Sequence, residues 1–506
     1  VRQKISHPTD DPNLPSFIHP NLAEVIDELD LVADCWDLLR GEKTKKIYLP
    51  REPGEHPKNY NSRLDRSSYP SFYKDGINAF AGVLSRYELK GFQKNFEASL
   101  NDIDGQGNSL KAWGMIADML LMRDNGCLLM ADMPSDKVDS RADEIIQGRR
   151  PFFSIAERKN VLNWRLKKVG RKLIPTAVTV REWHETEEGE YGMKLEPYYK
   201  VMKDGMWRLF KIKDSNDIKT PNSGDRLELV DEGIFLGAGG SPLKYPPVIW
   251  YGPPRDGFGG GAPMLLSLAN LTLDWFREYS DLKELLHKCA LPTAVIKDAM
   301  RPRDQNGNTM PVILGPNSLI ELFDQNADAF YLEPSATSLD KHLQHLSDIE
   351  KLIDRSTLSF LFSGDAERTA TQAQLESAQI QASITSLGEA KSSTWQSLGM
   401  LWGDFTGEYP DPDAGIDLLP GITDKPVDDA LLTLAGNLYD KGLLMRETVT
   451  KLAQRRGMLR PGIDGEQEAE QLKEEDRIEE EKTNPPIPNP DDLAGDDVDA
   501  QGLPLS

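Results

Sequence analysis

Two histidines three apart, His342 and His345, stand on one face of a predicted helix and could offer imidazole nitrogens to a metal, with Asp348 as a third ligand. That helix carries its apolar face elsewhere, at Leu343, Leu346, Ile349 and Ile353, so a solvated or subunit-contact role suits the pair better. Asp102, Asp104, Gln106 and Gly107 imitate the start of a calcium loop, but Trp113 stands where the bidentate acid belongs. A turn followed by a helix cap is expected instead. His184 and Glu185 open a zincin-like run that continues with acids rather than a second histidine, and it reads as a solvated loop. The glycines of residues 257–261 precede a helix start, as a phosphate cradle would, without its Gly-Lys-Ser/Thr ending, so hinge or tight packing is expected. No Ser/His/Asp order, paired-carboxylate site or nucleotide loop stands out. The expectation is a protein without catalysis, cofactor or metal.

Cys35, Cys127 and Cys289 are too far apart in sequence for a disulfide framework or zinc knuckle and read as buried small hydrophobes. The 506 residues carry a formal net charge of −23, and residues 462–506 alone hold 15 acids against Lys473, Arg477 and Lys482. So acidic a chain does not grip phosphate backbones through broad electrostatics. No apolar run reaches the roughly 18 residues that cross a bilayer, and no leader pattern opens the chain. A soluble protein made in a cytoplasm is expected, with no membrane partner.

The elements that carry these residues make an α+β chain. Helices are predicted over residues 22–40, with an Asn21/Glu24 capping box and a stop at Gly41, over 71–86, and over 110–123 with Trp113, Ile116, Met119 and Leu120 inward. Strands follow at 127–130, 152–155, 176–183, 198–202, 206–212, 227–236 and 247–251, with a hairpin turn at Lys203, Asp204 and Gly205. Pro263 then begins a helix ending near Cys289, striped by Leu265, Leu268, Trp275, Tyr279, Leu282 and Leu286. Short strands at 293–296, 311–314, 319–323 and 330–332 surround a polar loop at 301–308, and a helix returns over 339–359.

The longest pattern runs from Thr369 to Phe405. Ile380, Ile384, Leu387, Trp395, Leu398, Leu401, Trp402 and Phe405 recur at three- and four-residue spacing, and only Glu376, Glu389 and Lys391 are ionised before Met400. A helix of roughly 35 residues is about 50 Å long, so it must lie against more than one neighbour. Two long helices with a small strand-rich insert make a capped stalk, and a stalk that needs partners on both faces points to a closed ring. Trp275, Tyr279, Leu346, Ile380, Ile384 and Trp395 are the expected subunit contacts. Further helices are predicted over 427–441, 446–456 and 466–482, before a Pro-rich and acidic end.

Four stretches, residues 63–86, 102–110, 160–165 and 371–377, resemble the portal proteins of tailed bacteriophages, in a branch described only as a domain of unknown function. The resemblance spans roughly residues 21–460 and implies a portal-type fold. Residues 1–262 would be a mixed wing, 263–291 and 339–362 stem helices, 292–338 a small β-rich clip, and 363–371 a tunnel loop. Residues 372–425 would be the long spine helix and wing return, and 426–506 a helical crown with its acidic tail. The family implies a homo-oligomeric ring, typically of twelve subunits, at one capsid vertex of the virion, assembled in the host cytoplasm. Its partners would be the major capsid protein, a terminase motor, a head-tail adaptor protein and double-stranded DNA passing through non-specifically. Ser363, Gly364, Asp365, Ala366, Glu367, Arg368 and Thr369 would line the narrowest passage, and Arg301, Arg303, Asp304, Asn306 and Asn308 would meet motor and adaptor. Only Arg368 is basic in that loop, which argues for passage rather than grip. Rival readings are another virion assembly or scaffold protein, and a packaging nuclease-ATPase, against which the missing phosphate loop speaks.

Overall fold

The computed structural model of the protein describes residues 11–134, 149–170, 172–213, 226–290, 293–297, 328–332, 337–357 and 370–418. The chain divides into two units, residues 1–419 and 420–506; the second lies outside the described residues, and with it the helices expected at 427–441, 446–456 and 466–482.

Residues 22–40 do not form the single helix that their periodicity suggests. Helices α1 (Pro20–Ala23) and α2 (Ile26–Trp36) are separated at Val25, and His19 caps the first, its Nδ1 accepting from the Asn21 amide at 3.2 Å. Leu38 and Leu39 take left-handed φ values of 57° and 50° and end α2. Gly41, at φ 90°, starts α3 (Glu42–Tyr48) rather than stopping its predecessor. Next come α4 (Pro57–Arg66), α5 (Phe72–Leu84), β1 (Tyr87–Lys90) and α6 (Lys94–Ala98).

The calcium-like loop is a turn that satisfies itself. Asp104 Oδ1 accepts from the amides of Gln106 and Asn108 at 2.9 and 3.2 Å, and Asp102 Oδ1 accepts from Gly107 at 2.6 Å. Ser109 then caps α7 (Leu110–Asp124) by accepting from the Ala112 amide at 3.2 Å. Along α7 the expected inward set needs one correction: Ile116 is exposed, while Gly114, Ala117 and Leu121 turn inward with Trp113 and Leu120.

Strand β2 (Cys127–Asp132) lies between β3 (Phe152–Glu157) and β9 (Val248–Tyr251) in an antiparallel sheet. Cys127, Leu129 and Ala131 enter one core while Leu128 and Met130 enter a second, so β2 is buried on both faces and reads as an unbroken apolar run. Cys35 and Cys127 are free and buried, as small hydrophobes would be.

The second core is roofed by a five-stranded antiparallel sheet, β4 (Val161–Val169), β5 (Lys172–Glu188), β6 (Gly192–Lys203), β7 (Met206–Ile212) and β8 (Leu227–Ile234), in sequence order. Asp204 and Gly205, with φ of 52° and 77°, make the two-residue turn between β6 and β7. The run at His184 is not a loop but part of β5, where the imidazole lies 4.5 Å from the Tyr198 ring. Within residues 257–261, Gly259 and Gly261 pack tightly, whereas a Cβ on Gly257 would meet nothing within 4 Å. Asn125 Nδ2 donates to Asp256 Oδ2 and the Gly260 carbonyl at 2.8 and 2.9 Å, Arg158 donates to the Gly259 carbonyl at 3.0 Å, and a Cβ on Gly259 would collide with Trp164.

The remaining elements are helical for the most part: α8 (Leu266–Ala290), the two-stranded β10 (Thr293–Lys297) and β11 (Asp328–Leu332), α9 (Thr337–Ser356), α10 (Ala370–Thr406) and β12 (Gly415–Leu418). At 37 residues α10 matches the long periodic stretch almost to its ends. β12 returns to pair with β1 across more than 320 residues, from Tyr87↔Leu418 to Lys90↔Gly415. Among the described residues, no helix is long and apolar enough to cross a membrane.

Candidate functional site

Helices α8 and α9 form a hairpin, and its contacts run in opposite senses along the two. Trp275 Nε1 donates to Glu350 Oε1 at 3.0 Å, whereas three residues on, Glu278 faces His342 at 3.4 Å and His345 at 3.9 Å. The two histidines therefore converge on one carboxylate of the partner helix. Asp348, the third candidate ligand, lies 3.4 Å from Lys351 instead. Among the described residues no group of three His, Cys, Asp or Glu side chains is placed to hold a metal.

The hairpin is anchored to the body along α8, which packs against α2, α4 and α5 as well as α9. The Tyr279 ring stacks on Trp275 at 4.5 Å, Phe72 meets Trp275 edge-on at 5.3 Å, and the Lys283 ammonium sits 4.5 Å above Tyr279. Buried Ser280 and Ser67 share a hydrogen bond at 2.7 Å, and Arg66 pairs with Glu284. Arg63, held by Glu55 at 2.9 Å, also faces Asp281 at 3.7 Å. Burial pushes the Asp281 carboxyl up despite that guanidinium. Leu286, Leu343 and Leu352 remain exposed, so both helices of the hairpin carry apolar side chains that the described residues leave uncovered.

The two strands β10 and β11 close the tip in register from Thr293↔Leu332 to Lys297↔Asp328. Between them residues 298–327, with Arg301, Arg303, Asp304, Asn306 and Asn308, lie outside the described residues. So does the segment 358–369 before α10, with Ser363, Gly364, Asp365, Ala366, Glu367, Arg368 and Thr369.

Three of the residues expected at subunit contacts are taken up by the chain's own interior. Trp395 is fully buried, with Tyr87, Trp113 and Tyr251 around it at centroid distances of 6.1, 6.3 and 5.7 Å. Ile384 and Leu346 are also buried. An apolar stripe on a helix does not distinguish between burying against its own chain and burying against a neighbour, and here the first has won. Trp275 and Tyr279 are half-buried and keep surface to offer. The backbone of Ile380 belongs to α10, and its side chain is outside the description.

A buried ion pair that sequence reasoning passed over positions α10. Lys391 and Asp118 are both fully buried, 2.6 Å apart. Lys391 also donates to the Leu84 carbonyl at 2.8 Å and lies 4.4 Å from the Tyr87 ring, while Asp118 accepts from the Tyr251 hydroxyl at 2.8 Å. Burial pushes the Asp118 carboxyl up and the Lys391 ammonium down, each opposed by its partner. The signal was present: Lys391 stands in phase with Ile384, Leu387, Trp395 and Leu398, on the stripe rather than opposite it.

Residues 264–398 match a family model described as a domain of unknown function, DUF4055, which takes in α8, the tip, α9 and most of α10. No curated protein matches the chain. Among solved structures, the chain is similar to one from the neck of an empty GTA particle computed with C6 symmetry, at 14% identity and a TM-score of 0.41, covering 82% of this chain and 99% of that one. A chain in the virion of a native gene transfer agent (GTA) particle is similar at 12% identity and a TM-score of 0.34, with 81% and 98% covered. A third, from the neck of the native GTA particle computed with C12 symmetry, shares 12% identity at a TM-score of 0.35, again with 81% and 98% covered. At those scores the likeness carries no functional weight.

Proposed function

We propose that this chain is the subunit of a portal ring, the structural channel through which a packaging motor drives viral DNA into a capsid and from which the tail later hangs. The observation that carries the reading is the order of elements: a helical hairpin closed by a two-stranded tip, followed by a 37-residue helix. That order fits the stem, clip and spine of the resemblance, and the family match of residues 264–398 falls on the same stretch. Exposed Leu286, Leu343 and Leu352 supply apolar surface for neighbouring copies. The role is mechanical, not enzymatic. Residues 363–369 line the passage, and the capsid protein, terminase motor and head-tail adaptor are its partners.

A net charge of −23 suits a conduit, because every phosphate that pairs with Lys or Arg adds salt-sensitive affinity that would slow a passing genome. The test is native mass and electron-microscope imaging of the purified chain. A closed ring of about twelve copies with an open channel and weak duplex binding is expected. A monomer at high concentration, open sheets, or tight duplex binding with a steep salt slope would overturn the proposal, and ATP turnover by the isolated chain would favour a packaging enzyme. Removing residues 301–308 is expected to leave the ring intact while abolishing adaptor capture in a pull-down; unchanged capture would refute that assignment.

A further inference from the structure

The five-stranded sheet has two edges of opposite charge. One is β4, whose residues Arg165, Leu166, Lys167, Lys168 and Val169 are all exposed. The other is β8, where Glu228, Leu229, Val230, Asp231 and Glu232 are all exposed. Both runs are five residues long and mix charge with uncovered aliphatic side chains; Leu229 and Val230 are 48% and 47% exposed. Among the described residues Arg165, Lys167 and Lys168 make no ion pair. Glu228 and Glu232 reach only the exposed Lys213 and Arg208, at 3.8 and 3.1 Å.

An unpaired edge is a template for another strand, and proteins guard edges with charge. Lysines keep β4 from joining a second β4, and acids keep β8 from joining a second β8. The pairing that charge permits is β4 of one copy with β8 of the next. We propose that adjacent copies of this chain join edge to edge in this way, extending the sheet from subunit to subunit. All neighbours in the sheet are antiparallel, so its first and fifth strands point the same way and a head-to-tail join pairs them in parallel. Such a contact is heterologous: every partial assembly keeps one β4 edge and one β8 edge open, and both are consumed only when a ring closes. The inference deepens the portal reading and takes closure from it, while the edge pairing stands on the strands themselves.

The test reverses the charges on full-length protein. Arg165→Glu with Lys168→Glu on β4 is expected to raise the concentration for half-assembly roughly tenfold, since two attractive cross-strand pairs become repulsive. Glu228→Arg with Asp231→Lys on β8 should do the same, and a chain carrying all four changes should return to wild-type assembly. Every position is exposed, and unchanged thermal midpoints would confirm that the variants fold. Independently, Leu166→Cys with Leu229→Cys should give disulfide-linked oligomers under mild oxidation, and neither single variant should. Rings indifferent to every reversal, with no cross-links, would sink the edge pairing and spare the portal reading. Open filaments that respond to the reversals and their rescue would keep the edge pairing and sink the closed ring. A chain monomeric throughout would sink both.

Discussion

Lys391 shows how one side chain can fix a long helix. Its ammonium reaches Asp118 on α7 and the carbonyl of Leu84 at the end of α5, so α10 is held to two other helices through a single buried charge. Such a pair adds little net stability over apolar residues of similar volume, but removing one partner leaves the other charged and alone. Lys391→Met is expected to cost about 3–5 kcal/mol in urea unfolding, and Lys391→Met combined with Asp118→Leu should recover most of it. A loss that the second substitution fails to reverse would show that geometry rather than charge governs the site. Glu196 is the opposite case, an ion pair near solvent. Hydrogen bonds from Lys194 and Lys211 hold its carboxyl at about 2, against an ordinary 4.5. A depressed folded-state value means that the contribution is complete above pH 4.5 and is lost as pH falls towards 2. Glu196→Gln should flatten that part of the acid unfolding curve. The change should stay below about 1 kcal/mol, because both lysines are partly exposed and screened.

At the scale of elements, the same substitution should have opposite signs on two packed helices. Gly82 lies in α5 with nothing within 4 Å of where a Cβ would stand, so Gly82→Ala should stabilise by about 0.5–1 kcal/mol through helix propensity. Gly114 lies in α7, where a Cβ would come 2.8 Å from the Trp395 ring, and Gly114→Ala should cost about 1–3 kcal/mol despite the better propensity. Thermal unfolding of the two variants checks both. Legibility differed between elements in a similar way. α5, α7, α8, α9 and α10 were readable because each repeats its apolar spacing over several turns. The break at Val25 was not, since Leu22 and Leu29 keep helical phase while entering one core and Val32 enters another. β1 escaped notice because four residues acquire strand character only by pairing with β12. β4 escaped because Arg165, Lys167 and Lys168 hide the alternation.

For the whole molecule, charge is the dominant long-range quantity. Copies that each carry −23 repel one another until salt screens them, whereas pairs in contact are screened far less. Raising ionic strength from about 0.01 to 0.1 M shortens the Debye length from roughly 30 to 10 Å, and should therefore promote self-association. Mass photometry across that range reads the effect directly. Dissociation on adding salt would mean that attraction between charged surfaces, not apolar burial, holds the assembly. The candidate site was legible as a set of elements, a helical hairpin with a strand tip ahead of one long helix, but not as a set of contacts. Trp395 and Ile384 were expected on a neighbour and lie within their own chain.

The periodic helices, the tight glycine loop, the self-capped turn at Asp104 and the acidic balance were set by the sequence alone. These depend on spacing, backbone preference and composition, which are local or additive. Only the tertiary structure decided which apolar stripe meets which partner, that Lys391 seeks Asp118, and that β1 and β12 pair across the chain. Each of those depends on surfaces brought together from distant segments. Burial is a property of the meeting, and neither segment's pattern carries it alone.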